Sequence, residues 1–172
     1  PDISVPTVGG GTWTLSQHDA KNFTMVVVYR GLHCPICKTY LNDLQSHLDS
    51  FAEQGVQAIA ISSDDADRAA QAKSDWGLEK LNIGHSLALA DGRKLGLYIS
   101  SSRGKTSVGI EEPDLFFEPG LFLIKPDQTL YYASVQTMPF ARPSFADLAR
   151  AVTFAVEKDY PARGHVMEIP GA

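Results

Sequence analysis

The sequence predicts an α/β protein built on a central mixed β-sheet flanked by helices. Three observations predict it. Residues 25–29 are an unbroken apolar, β-branched run too short for a helix, residues 56–61 read as a second apolar strand, and an amphipathic stretch lies between them. Residues 121–124 and 130–135 are apolar runs separated by Pro126-Asp127-Gln128, the pattern of an antiparallel hairpin. A last helical pattern follows Pro143. A strand–helix–strand unit plus a terminal hairpin gives parallel and antiparallel pairing in one sheet. The 172-residue length favours one domain over 1–172, with 1–11 an irregular lead-in and 159–172 an irregular tail.

The elements follow in chain order. Gly9-Gly10-Gly11 reads as flexible, and 12–15 as a short strand. Gly31 ends the 25–29 strand. Pro35 suits a helix first turn, where no N–H partner is required. Cys37, Leu41, Leu44, Leu48 and Phe51 then recur at three- and four-residue steps, and Gly55 stops the helix. After the 56–61 strand, Ser63 or Asp64 caps a polar, Ala-rich helix reaching about Trp76. Residues 87–90 read as a short strand, turned by Asp91-Gly92. The polar stretch 100–114 reads as a surface loop. Ser144, with Asp147 three residues on, resembles a capping box for a final helix whose stripe is Phe145, Leu148, Val152 and Ala155. Trp76, Tyr98, Phe116 and Phe117 read mainly as core.

The net charge is -5 at pH 7, with no run of Lys or Arg, which argues against nucleic acid or anionic membranes as partners. No apolar stretch approaches the roughly 20 residues needed to span a bilayer. Residues 1–11 lack the basic start and apolar run of a signal peptide, so the cytoplasm is the expected compartment; with no initiator Met, a leader removed earlier stays open.

Two cysteines occur, Cys34 and Cys37. A loop that short staples a fold poorly, so redox chemistry is the better reading and metal binding the rival. At i and i+3 on a helix the Cα atoms lie about 5–6 Å apart, within the range a disulfide accepts. Cys37 begins the apolar stripe and should face the core. Cys34, at the strand-to-helix corner, should be the exposed, attacking sulfur. Free N–H groups at the helix start favour a thiolate there, and Arg30 and His33, when charged, would favour it further. Zinc would need two more ligands from His33, His47, His85 and His165, with no second CxxC or HxxxH. No cofactor is expected.

The stretch Val26-Val27-Val28-Tyr29-Arg30-Gly31-Leu32-His33-Cys34-Pro35-Ile36-Cys37 resembles the peroxiredoxin-like branch of the thioredoxin superfamily, where a strand leads through Tyr-Arg-Gly into Cys-Pro-x-Cys. Pro119-Gly120-Leu121-Phe122-Leu123-Ile124-Lys125-Pro126-Asp127 is similar to the strand and Pro-Asp turn of the alkyl hydroperoxide reductase and thiol-specific antioxidant proteins. The likeness runs from about Thr12 to Glu157. It implies a thioredoxin-like fold and a cis Pro119 facing the cysteines. The chain also departs from that pattern. Val27 and Gly31 stand where peroxiredoxins carry Pro and Thr, seven and three positions before the attacking Cys. Pro119 stands where their peroxide-polarising Arg is common, leaving Arg30, then Arg142, as substitutes. Val28 occupies the place of the thioredoxin proton-accepting Asp, leaving Glu118 as the substitute.

The leading functional expectation is a thiol-disulfide oxidoreductase acting through Cys34 and Cys37. Its partners are a protein disulfide or peroxide and a thiol electron donor, and the reading admits a homodimer. The alternatives are a thiol peroxidase, with Cys34 peroxidatic and Cys37 resolving, and a non-enzymatic binding module on the same fold.

Overall fold

A computed structural model describes residues 1–169 and 171. Its centre is β3 (Phe23–Val28), buried along its whole length. β3 runs parallel to β4 (Val56–Ile61) and antiparallel to β8 (Gly120–Ile124). β5 (Asn82–Gly84) extends the sheet beyond β4, and β9 (Leu130–Val135) beyond β8, giving the five-stranded mixed order β5-β4-β3-β8-β9.

The two-residue period of β3 divides its side chains between two cores. Met25 and Val27 join the core covered by α1 (Pro35–Glu53), α2 (Ala66–Asp75) and α4 (Phe145–Glu157). Val26 and Val28 join the core on the other face, with Ile59, Ile61, Phe117 and Phe122. Each fully buried side chain of this size contributes about 1.5–3 kcal/mol. The expected α4 stripe of Phe145, Leu148, Val152 and Ala155 is buried; in α1 Cys37, Leu41, Leu44 and Phe51 are buried, while Leu48 is half-buried against the same core. Ser144 caps α4 by accepting from the Asp147 N–H at 3.3 Å.

Other expectations need correction. The lead-in is ordered: β1 (Ser4–Pro6) pairs with β2 (Thr12–Thr14), Val5 opposite Trp13. Gly9, Gly10 and Gly11 all have positive φ, so they form the turn between these strands rather than a tether. The Val8 N–H donates to Ile83 O and the His85 N–H to Pro6 O, which docks this segment on β5. Residues 87–90 do not form a strand. They lead into α3 (Leu89–Lys94), because a four-residue apolar run carries no period that separates strand from helix. Gly92 lies inside α3, against the Phe117 ring. β5 itself, three residues long, was too short to be anticipated. Asp65, not Ser63 or Asp64, caps α2. Tyr98 is exposed, whereas Trp76, Phe116 and Phe117 are core. The 100–114 loop is closed at its base by β6 (Ile99–Ser101) pairing with β7 (Leu115–Phe117). Residues 159–169 form neither helix nor strand; Pro170 and Ala172 of the expected tail lie outside the described residues. No helix among the described residues is long and apolar enough to cross a membrane.

Candidate active site

The site lies where β3 ends and α1 begins. The Tyr29 N–H donates to Ile61 O at 3.0 Å, carrying the parallel pairing one residue past the strand. The chain then turns at Gly31, whose φ of 129° disfavours any other residue. A Cβ there would sit 2.7 Å from Asp64 Oδ1. The Asp64 carboxylate is buried; it accepts from the Leu32 N–H at 2.7 Å and from Arg68 Nε at 3.1 Å. Burial pushes its pKa up, and those two donors oppose the shift. Asp64 thus fastens the approach to the cysteines, a role its position in an Asp-rich run did not disclose.

Cys34 is the N-cap of α1, with extended backbone, and its Sγ accepts from the Cys37 N–H at 3.2 Å. Pro35 occupies the first turn, where its missing N–H leaves no acceptor unsatisfied. Cys34 and Cys37 are joined as a disulfide, with Cα atoms 5.2 Å apart.

The expected difference in exposure is absent: both cysteines are fully buried. Sequence distance hid the reason. The loop between β9 and α4 folds over the pair, and Arg142 Nη2 reaches Cys37 Sγ at 3.0 Å and Cys34 Sγ at 3.9 Å. Arg142 Nε donates to Pro139 O, and the guanidinium lies over the Tyr40 ring at 4.9 Å. The Gln136 side chain donates to Ala141 O at 2.6 Å, and Tyr40 Oη to Pro143 O at 2.7 Å. Burial lowers the Arg142 pKa to about 10, which leaves it charged at neutral pH. What distinguishes the two sulfurs is therefore the nearer donor: a helix N–H at 3.2 Å for Cys34, with the guanidinium at 3.9 Å, and the guanidinium at 3.0 Å for Cys37.

The remaining candidates sit elsewhere. Arg30 Nε is 3.1 Å from Glu118 Oε2, and Arg30 Nη2 is 3.7 Å from Glu112 Oε1. Glu118 Oε1 accepts from Ser100 Oγ at 2.6 Å, so both its oxygens are engaged. Neither Arg30 nor Glu118 hydrogen-bonds a sulfur among the described residues; they tie the 100–114 loop to the Cys34 turn. His33 is fully buried, edge-on to Phe116, and neither ring nitrogen has a partner. Burial first, then the charges of Arg30 and Arg68, hold its pKa at about 4. At neutral pH it is uncharged, so it does not supply the positive field expected of it. Pro119 is trans, since no cis peptide bond occurs among the described residues. Trans is the lower-energy form, and here the chain runs straight from β7 into β8, with Pro119 O accepting from the Gln136 N–H at 3.0 Å. Pro119 does line a narrow hollow with Tyr40, Leu121 and Arg142.

A mixed sheet of this order, with a cysteine pair opening the helix after its central strand, defines a thioredoxin-fold thiol redox protein. Residues 1–133 match the AhpC/TSA family, and the chain belongs to that family of thiol-dependent oxidoreductases. Solved structures with the same fold include a cysteine-to-serine variant of peroxiredoxin 6 of Arenicola marina (TM-score 0.72, 18% identity, covering 99% of this chain and 81% of that one). Peroxidoxin BcpB from Mycobacterium tuberculosis gives a TM-score of 0.65 at 20% identity, over 91% of this chain and 94% of its own. The reduced 2-Cys peroxiredoxin of Plasmodium vivax gives 0.72 at 15%, over 98% and 88%. Arg142 lies beyond the residues that match the family.

Proposed function

We propose that the protein is a thiol-disulfide oxidoreductase in which Cys34 attacks and Cys37 resolves. The observation that carries this reading is the Cys37 N–H aimed at Cys34 Sγ, at the positive end of the 19-residue α1. In the reduced protein that donor favours a Cys34 thiolate. The thiolate attacks a substrate disulfide, forming a mixed disulfide and expelling one thiolate, which takes up a proton. Cys37, as a thiolate, then attacks the Cys34 sulfur. The second substrate sulfur leaves with the electron pair, and the Cys34–Cys37 disulfide remains. A thiol donor returns two electrons and two protons.

Titration of the thiolate by ultraviolet absorbance in Cys37→Ser tests this. We expect a Cys34 pKa below the free value of about 8.5. A value at or above it removes the basis of the assignment. The direction of flow follows from the reduction potential of the couple: near about -270 mV it reduces partners, and near about -120 mV it oxidises them.

A second reading, thiol peroxidase, is supported by the Arg142 charge at the sulfurs. The Cys34 thiolate would attack a peroxide oxygen, the O–O bond would break to release water or an alcohol, and Cys37 would close the disulfide from the sulfenic acid, releasing water. With Gly31 in place of a hydroxyl-bearing residue, one donor to the peroxide is missing, and the expected rate is that of a simple thiolate. Stopped-flow mixing with hydrogen peroxide decides: rapid turnover makes this the better reading.

A further inference from the structure

We propose that Arg142 is the activator of the resolving sulfur: its guanidinium, brought in by the loop between β9 and α4, holds Cys37 as a thiolate while the first turn of α1 does so for Cys34. The inference rests on the reading that Cys34 attacks and Cys37 resolves.

Cys37 is fully enclosed in the apolar core, and desolvation keeps a thiol protonated. A protonated Cys37 does not attack a mixed disulfide. Cys34 has a backbone N–H for its sulfur; the hydrogen bond that reaches Cys37 Sγ comes from Arg142 Nη2, at 3.0 Å against 3.9 Å for Cys34.

The charge of Arg142 is not neutralised elsewhere. Among the described residues it forms no ion pair with a carboxylate, and its Nη1 is buried without a partner. The other ionisable groups acting on it are Tyr40 of α1, Arg30 after β3 and Glu118 before β8. Arg30 and Glu118 pair with each other, and burial pushes the Tyr40 ionisation well up, so Tyr40 stays neutral. The loop is built to aim the guanidinium. Ala141 holds a φ of 59°, rare for a non-glycine residue, and its carbonyl is bound by Gln136, while Pro139 O takes the Arg142 Nε–H. No proton leaves Arg142 in the step: Cys37 thiolate attacks Cys34, the outer S–S bond breaks, and the departing thiolate is protonated by solvent.

The test loads Cys34 with 5-thio-2-nitrobenzoate as a mixed disulfide and follows its release by absorbance from acid to alkaline pH. In Arg142→Met we expect release about tenfold slower at neutral pH, since one unit of pKa is a tenfold change in thiolate. The pH midpoint should rise by about one unit, with the unsubstituted rate recovered at alkaline pH. Arg142→Lys keeps the cation in the loop and should fall between the two. A slowing equal at every pH marks a merely structural role and overturns the inference, as does a Lys variant with the midpoint of the Met variant. Normal labelling with unaltered release in Arg142→Met overturns this inference alone. Failure to label Cys34 in the unsubstituted protein overturns the dithiol reading and this inference with it.

Discussion

Arg142 Nη2 rests 3.0 Å from Cys37 Sγ across a sequence separation of 105 residues. The contact joins the start of α1 to the loop before α4, so the electronic state of the sulfurs depends on a segment outside the family match. A cation favours thiolates over a neutral disulfide, so it stabilises the reduced couple. Arg142→Met should therefore make the protein more reducing, by about 30 mV per pKa unit lost. Equilibration with glutathione buffers measures this; an unchanged or less negative potential contradicts it.

Tyr40 Oη donates to Pro143 O and helps hold the loop down over two buried sulfurs. Tyr40→Phe removes that bond while keeping the ring under Arg142. A neutral hydrogen bond is worth about 0.5–1.5 kcal/mol, so reduction of the disulfide by dithiothreitol should accelerate by about two- to tenfold. An unaltered rate would place the opening motion elsewhere.

His33 makes stability depend on pH. Its ordinary pKa of 6.5 falls to about 4 in the folded protein. Between those values the unfolded chain binds more protons, so stability rises with pH: the contribution is complete above 6.5 and is lost as pH falls towards 4. The loss attributable to this residue is up to about 3 kcal/mol. Urea unfolding of His33→Leu across that interval should show a shallower decline than the unsubstituted protein, and parallel declines would show that His33 is not responsible.

Gly31→Ala forces a side chain against the Asp64 carboxylate at a φ of 129°. We expect a loss of about 2 kcal/mol or more in chemical denaturation, together with slower thiol exchange as the Cys34 turn shifts. A loss within about 0.5 kcal/mol, as at an ordinary surface position, would show that the turn adapts freely.

Most of the scaffold could be read from the chain because its signals are local. The runs at β3 and β4, the α1 stripe from Cys37 to Phe51 and the Ser144 cap each declare themselves within one element. The elements that the sequence does not declare are short. β1, β5 and α3 are held by neighbours distant in sequence, such as Ile83 receiving the Val8 N–H, and three to six residues carry too little pattern of their own. At the site, Cys34 and Cys37 were evident from their spacing. The environment was not: the seal over them, the neutral state of His33 and the pairing of Arg30 with Glu118 all depend on which loops meet at the end of β3. Proximity along the chain favours Arg30 over Arg142, and the fold reverses that order at the sulfurs.

Cys34 caps α1 and also forms half of the redox couple. Each electron pair that enters the protein therefore changes the end of a helix. A thiolate is a stronger acceptor for the Cys37 amide than a disulfide sulfur, so reduction winds that turn more firmly even as it deletes the covalent ring. Hydrogen exchange at a single backbone amide should then report how much of a population is reduced, with no reagent attached to either sulfur.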